Sequence, residues 1–176
     1  MKRAELDRLC ELAGIGAEHA AAAFAQLVAR PVALSEPRVV EQAGADDVEA
    51  IGREWCTGVL FELEGPICAL VGLLFRAPVR DALVRRVLGE ALDPLPIEMT
   101  ESVLMEVGNI VVSHVASGIA ESLGVRLLPS IPSLAMDGAD LTLADQIDRR
   151  PESCLRIECE LIDPETGLGG LLVLVP

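Results

Sequence analysis

Thr100-Glu-Ser-Val-Leu-Met-Glu-Val-Gly-Asn-Ile-Val-Val-Ser-His114 sets Ser102, Glu106, Asn109 and Ser113 at intervals of four, three and four. At about 3.6 residues per turn these side chains stack along one side of a helix. The residues between them are apolar (Val103, Leu104, Met105, Val107, Ile110, Val111, Val112), so the helix is buried over most of its circumference and wet along one line. Asparagine competes for backbone hydrogen bonds and is a mediocre helix former, which makes Asn109 in mid-helix a local inconsistency that asks for a reason. From the residues alone the stripe reads either as a solvated face or as a functional surface.

Outward from this helix, Asp93-Pro-Leu-Pro96 is a rigid connection into it, and Gly124 is its expected stop. Near the start of the chain, from about Ala4 to Val28, Leu6, Leu9, Cys10, Ala13, Ala17, Ala20, Phe24 and Leu27 keep helical spacing up to Pro31. On the other side of that first helix lie Asp7, Glu11, Gly14 and Glu18, spaced as in the second stripe. Pro31 to Val40 reads as a short edge strand interrupted by Glu36-Pro37, followed by a polar loop from about Glu41 to Asp47. Ile51 to Leu63 and Ile67 to Phe75 are expected to pair antiparallel across Glu64-Gly65-Pro66. Ala77 to Leu88 reads as a shorter amphipathic helix ending at Gly89. Val125 to Ser130 and Pro132 to Leu134 are extended and broken by proline, and an acidic loop with Asp137, Asp140 and Asp145 follows. Cys154 to Ile162 and Leu168 to Val175 complete the strands, joined by the turn Asp163-Pro-Glu-Thr-Gly167.

The order is helix and three strands, twice, with one helix between the copies. Glu106 stands 95 residues after Glu11, and the same offset pairs Ser102 with Asp7, Asn109 with Gly14, Ser130 with Ser35 and Pro132 with Pro37. One copy alone would leave a sheet face uncovered, so both are expected to build one continuous, mainly antiparallel sheet with the long helices side by side. The expectation is a single pseudo-two-fold α+β domain over residues 1–176: repeat one at about 4–76, a connecting helix at about 77–90 and repeat two at about 97–176.

Composition narrows the function. The chain is 51% hydrophobic yet has three Phe, one Trp and no Tyr, so its core is aliphatic. A formal charge of −14 with scattered basic residues argues against nucleic acid and anionic membrane as partners. Five cysteines without metal-type spacing (Cys10, Cys56, Cys68, Cys154, Cys159) read as buried free thiols of a reducing compartment. Acidic residues interrupt any leader after Met1-Lys2-Arg3, and no other run is expected to span a bilayer, so the expected location is the cytoplasm. His19 and His114 have no Ser or Cys partner near in sequence, and neither a phosphate loop nor a zinc cluster is evident. The 137–145 loop lacks the glycine and terminal glutamate of a calcium loop and reads as solvated, so no metal site is expected.

A carboxylate and an amide one turn apart can still be a complete catalytic contribution if another protein brings the rest. An amide offers a donor and an acceptor at fixed geometry and can hold a water in line with phosphorus, and phosphoryl transfer needs chiefly positioning and charge stabilisation. Glu106 would then pair with a cation of the partner and fix the docking, while Asn109 reaches the water.

At this point the sequence resembles the CheC/CheX/FliY family of chemotaxis phosphatases. The resemblance rests on Ser102, Glu106 and Asn109 within Glu106-Val-Gly-Asn-Ile110, and on a degenerate copy, Asp7, Glu11 and Gly14, within Glu11-Leu-Ala-Gly-Ile-Gly16. Arg30-Pro-Val32, Ser35-Glu-Pro-Arg38 and Pro129-Ser-Ile-Pro132 extend it over nearly the whole chain, closest to single-domain CheC. The resemblance implies a six-stranded sheet with two site helices on one face. It also implies hydrolysis of the aspartyl phosphate of a CheY-like response regulator, with Mg²⁺ carried by that partner and no cofactor bound by this chain. Gly14 stands where the family has an amide, and Glu18-His19 where it has Gly-Asn a turn later. One working site is therefore expected, with Glu106 and Asn109 catalytic, Ser102 supporting, and Asp7, Glu11 and Gly14 a degenerate first site in which Glu11 keeps the chemistry to dock but nothing positions water. The alternative implied by the same resemblance is an adaptor without catalysis that binds the deamidase CheD or a response regulator; a small-ligand sensor is a third reading.

Overall fold

The computed structural model of the chain describes residues 3–41, 54–89, 93–150 and 155–176. Its elements follow in the order α1 (Arg3–Val28), β1 (Ala33–Leu34), β2 (Arg38–Glu41), β3 (Thr57–Glu64), β4 (Ala69–Phe75), α2 (Ala77–Leu88), α3 (Ile97–Leu123), β5 (Leu128–Pro129), β6 (Ser133–Ala135), α4 (Ala139–Asp148), β7 (Leu155–Ile162) and β8 (Gly169–Val175). The expected loop at 42–47, the strand residues 51–53 and Cys154 lie outside the described residues.

The fold is a mixed α+β architecture on one antiparallel sheet of order β1-β7-β8-β4-β3-β5, with β2 also on β7 and β6 also on β3. The expected six strands are thus eight in six lateral positions. At each edge a proline-bearing bend splits the strand, because proline cannot donate to the ladder. The bends are held by serines. Ser35 N–H donates to the Glu160 carbonyl at 2.9 Å and its Oγ accepts the Glu160 N–H at 2.9 Å. Ser130 makes the same pair of bonds with Glu62, at 2.8 and 3.0 Å. Ala33 faces Ile162 and Arg38 faces Glu158, while Leu128 faces Glu64 and Ser133 faces Leu60. Each edge strand is therefore hydrogen-bonded to a strand from the other half of the chain.

Alternation along β3, β4, β7 and β8 sends Val59, Phe61, Val71, Leu73, Ile157, Cys159, Leu172 and Leu174 to one face, where they form one core with α1, α2 and α3. α1 and α3 cross closely over it because Gly16 and Gly118 are small. A Cβ at Gly16 would stand 3.0 Å from Val115, and one at Gly118 2.7 Å from the His19 ring. Gly108 does the same toward the sheet: an added Cβ would lie 2.8 Å from Val59 Cγ1, so α3 lies directly on β3 beside Asn109. Gly124 caps α3 in the left-handed conformation (φ 63°), as Gly89 caps α2. Arg30, just past α1, donates through Nε to Asp163 at 2.6 Å and pairs with Glu165, fastening α1 to the β7–β8 turn.

Four expectations need amending. The acidic loop is the helix α4: Ala139, Leu143 and Ile147, four apart, are buried against Leu60, Leu70 and Trp55 on the other sheet face, while Asp137 and Asp145 stay in solvent. Among the described residues the strand expected from Ile51 opens at Thr57, and Glu54 is helical. Cys68 is exposed at the end of a turn, and Cys10 and Cys56 are partly exposed, leaving Cys159 as the buried thiol among the described cysteines. Finally, α3 is long and apolar enough by length and composition to cross a membrane, with mean hydropathy 1.5 over its most apolar window. Its apolar side is the one that packs on α1 and the sheet, which is how the core helix of a folded domain passes the same test.

Candidate functional site

Ser102, Glu106, Asn109 and Ser113 are all exposed on α3, and the buried Leu104, Val107, Gly108, Val111, Val112 and Val115 occupy its opposite side. The stripe extends at both ends. Met99, two turns before Glu106, is 38% exposed, and Ser117 follows Ser113, its Oγ bonded back to the Ser113 carbonyl at 2.8 Å. His114 sits at the border of the stripe with Nδ1 on the Ile110 carbonyl at 2.8 Å, which turns Nε2 outward. On α1, Asp7, Glu11 and Glu18 are exposed and Gly14 is half-buried. His19 is packed over Gly118 in the seam between the helices and is a structural residue.

The two stripes differ in their electrostatics. On α1 the Glu11 carboxylate is held by Arg8 three residues before it, Nη1 to Oε2 at 2.5 Å. On α3 the residue three before Glu106 is Val103, and among the described residues neither Glu106 nor Asn109 makes a side-chain hydrogen bond or ion pair. A carboxylate and an amide, one turn apart and both unengaged, stand on a helix locked at Gly108 to the sheet and at Gly118 to α1. Such a surface is preorganised to offer an anion for a foreign cation and a donor and acceptor for a foreign water.

Two cavities, of about 650 and 580 Å³, lie on the other side of the sheet, around Arg38, Trp55, Arg156 and Glu158 and around Glu62, Ser133, Thr142 and Arg150, and neither takes a residue from either stripe. Among the described residues there is also no group of His, Cys, Asp and Glu side chains able to hold a metal ion. The marked titration shifts lie in the scaffold. Asp163 is held down to about 2 by the Thr166 hydroxyl, with help from the Glu165 N–H and Arg30 against the effect of its burial. Burial pushes the Cys159 thiol up to about 11.

The sequence pattern thus placed the four α3 residues on one exposed line and brought α1 beside it. It missed the roles of Arg8 and Met99, although the spacing of Arg8 to Glu11, three residues on one helix, was there to be read.

Comparison with known proteins converges on this helix. The family model described as the CheC-like family matches residues 99–135, from Met99 through both halves of the α3 stripe to the end of β6. Over 149 residues the chain is 25% identical to the CheY-P phosphatase CheC of Bacillus subtilis, covering 78% of this chain and 68% of that protein. Among solved structures, FliY of Thermotoga maritima superposes with a TM-score of 0.68 at 15% identity, covering 99% of this chain and 90% of the other. CheX in the CheX–CheY–BeF3–Mg complex of Borrelia burgdorferi gives 0.65 at 12% identity, covering 94% and 97%. These likenesses in structure show the shared fold, and the family model and the sequence relative add a likeness in sequence. Motif, sequence relative and fold agree: the chain is similar to proteins of the CheC-like family.

Proposed function

We propose that the chain hydrolyses the aspartyl phosphate of a CheY-like response regulator, with α3 as its working site. The observation that carries this reading is the pair Glu106 and Asn109, exposed and unengaged on a rigid helix. Support comes from a relative that is itself a CheY-P phosphatase and from a structural neighbour seen in complex with CheY.

Glu106 accepts a charge-assisted bond from a cation on the regulator and fixes the docking. Asn109 then holds a water through its amide, in line with the phosphorus. The water oxygen bonds to phosphorus as the bond to the aspartyl oxygen breaks; the carboxylate leaves and the water protons end on phosphate and solvent. An acyl phosphate has a good leaving group, so positioning is the contribution required, and well-placed reactants are worth up to about 7–11 kcal/mol of barrier. The metal that balances the phosphoryl charge belongs to the regulator. Ser102 supports the docking one turn before Glu106.

In this reading the chain is one domain, residues 1–176, built by duplication about a pseudo-two-fold. What supports this is the equivalence of Ser35 on Glu160 with Ser130 on Glu62, and edge-strand registers that coincide with the edge residues 95 apart and their ladder partners 98 apart. The first site is spent: Gly14 has no amide and Glu11 is occupied by Arg8. A second reading, an adaptor that holds CheD or a regulator without chemistry, draws on that lost site and on the exposed Asp7 and Glu18. A dephosphorylation time course on phosphorylated CheY-like receivers separates the two. A phosphatase shortens the phosphoryl lifetime when present below the concentration of regulator; an adaptor binds and leaves the lifetime unchanged. The reducing cytoplasm, where such regulators act, is the proposed location.

A further inference from the structure

We infer that the regulator is confined to α3 by what flanks the two glutamates: Val103 and Met99 before Glu106, Arg8 and Ala4 before Glu11. The inference rests on the phosphatase reading and adds the residues that choose between its two helices. On a helix, the residue three positions before a carboxylate lies beside it on the adjacent turn. At Glu11 that residue is Arg8, which occupies the carboxylate at 2.5 Å with both side chains in solvent, 48% and 58% exposed. A cation arriving from a partner must displace the guanidinium and also face its charge. At Glu106 the same place holds Val103, packed at the margin of the core, so the carboxylate waits without a cation.

Two turns before each glutamate the contrast repeats. Met99 is 38% exposed in line with Glu106, and the corresponding position on α1 is Ala4. A flexible, polarisable thioether adapts to an unlike surface and excludes water from its surroundings. A desolvated apolar anchor is where docking energy concentrates. α3 therefore offers a free anion with an apolar anchor two turns before it, whereas α1 offers a neutralised anion with a methyl group at the same distance. An exposed pair such as Arg8–Glu11 is a weak cap, so each flank contributes a factor and neither acts alone.

The test is a binding titration and steady-state kinetics with a CheY-type receiver charged with acetyl phosphate. Val103→Arg places on α3 the cap that α1 carries, and should raise Kd and KM about two- to fivefold with kcat retained. Val103→Gln has similar reach and no charge and should stay near the parent. Met99→Ala should raise KM about five- to tenfold without lowering kcat. In an Asn109→Ala, Gly14→Asn chain, adding Arg8→Val should increase receiver affinity for α1. Equal losses from Val103→Arg and Val103→Gln mean that bulk rather than charge decides, and overturn the cap. An unchanged KM in Met99→Ala overturns the anchor. A parent that binds the receiver without shortening its phosphoryl lifetime sinks the phosphatase reading alone, since the Kd comparisons then still decide this inference.

Discussion

Glu106 and Glu11 stand 95 positions apart on exposed lines of two helices, and their neighbours differ: Arg8 pairs with Glu11, while Val103 stands three residues before Glu106. Glu106 stands in solvent with no partner among the described residues. Its proposed role is docking. Glu106→Gln should weaken affinity for the phosphorylated regulator and flatten the salt dependence of that affinity, measured by titration at two ionic strengths. A steep loss of rate with affinity and salt response untouched would assign the carboxylate to chemistry instead. Glu11→Ala, by contrast, removes only one exposed i,i+3 pair and should cost less than about 1 kcal/mol of stability with little change in rate.

At the scale of the helix, α1 and α3 lie side by side and differ, among other positions, at Gly14 against Asn109. A Cβ added at Gly14 would meet Pro37 at 3.6 Å, an ordinary van der Waals contact, so the backbone there tolerates a side chain. Asparagine is also slightly better than glycine inside a helix. Gly14→Asn should therefore leave the thermal midpoint equal or raised. In an Asn109→Ala background it reports whether α1 can still act, since any phosphatase activity must come from the first site. A stable double variant with no more activity than the Asn109→Ala parent would mean that α1 has lost more than its amide, with Arg8 the first suspect. The stripes were legible in the sequence because amphipathic spacing is local. α4 was not, although Ala139, Leu143 and Ile147 have the required spacing, because Asp137, Asp140 and Asp145 interleave with them and resemble a solvated loop. The Arg8–Glu11 pair was equally local and went unread, since a charge beside a charge is usually taken as surface.

For the whole molecule, the edge strands pair across the two halves of the chain: β1 and β2 lie on β7, and β5 and β6 on β3. α1, α2, α3 and most strands could be read from the chain, whereas this long-range pairing is set by topology and leaves no local pattern to read. The Arg30–Asp163 contact is part of the same closure, tying the end of α1 to the last hairpin, and it makes a prediction with a sign. Asp163 has a folded pKa of about 2, below its unfolded value of 3.8. Its stabilising contribution is thus full above about pH 4 and is lost as pH falls toward 2. Urea midpoints of the parent and Asp163→Asn should differ most at neutral pH, with the parent more stable, and converge between about pH 4 and 2. A difference that stays constant down to pH 2 would show that hydrogen-bond geometry, rather than charge, holds that corner. The proposed role of Asn109 is tested most directly by the phosphoryl lifetime of a CheY-like receiver with the parent and with Asn109→Ala. The account predicts that the parent, present below the regulator's concentration, shortens that lifetime, and that Asn109→Ala binds as tightly but loses about 10²–10³ of the acceleration, as when one transition-state donor is removed. An Asn109→Ala protein as fast as the parent would contradict it.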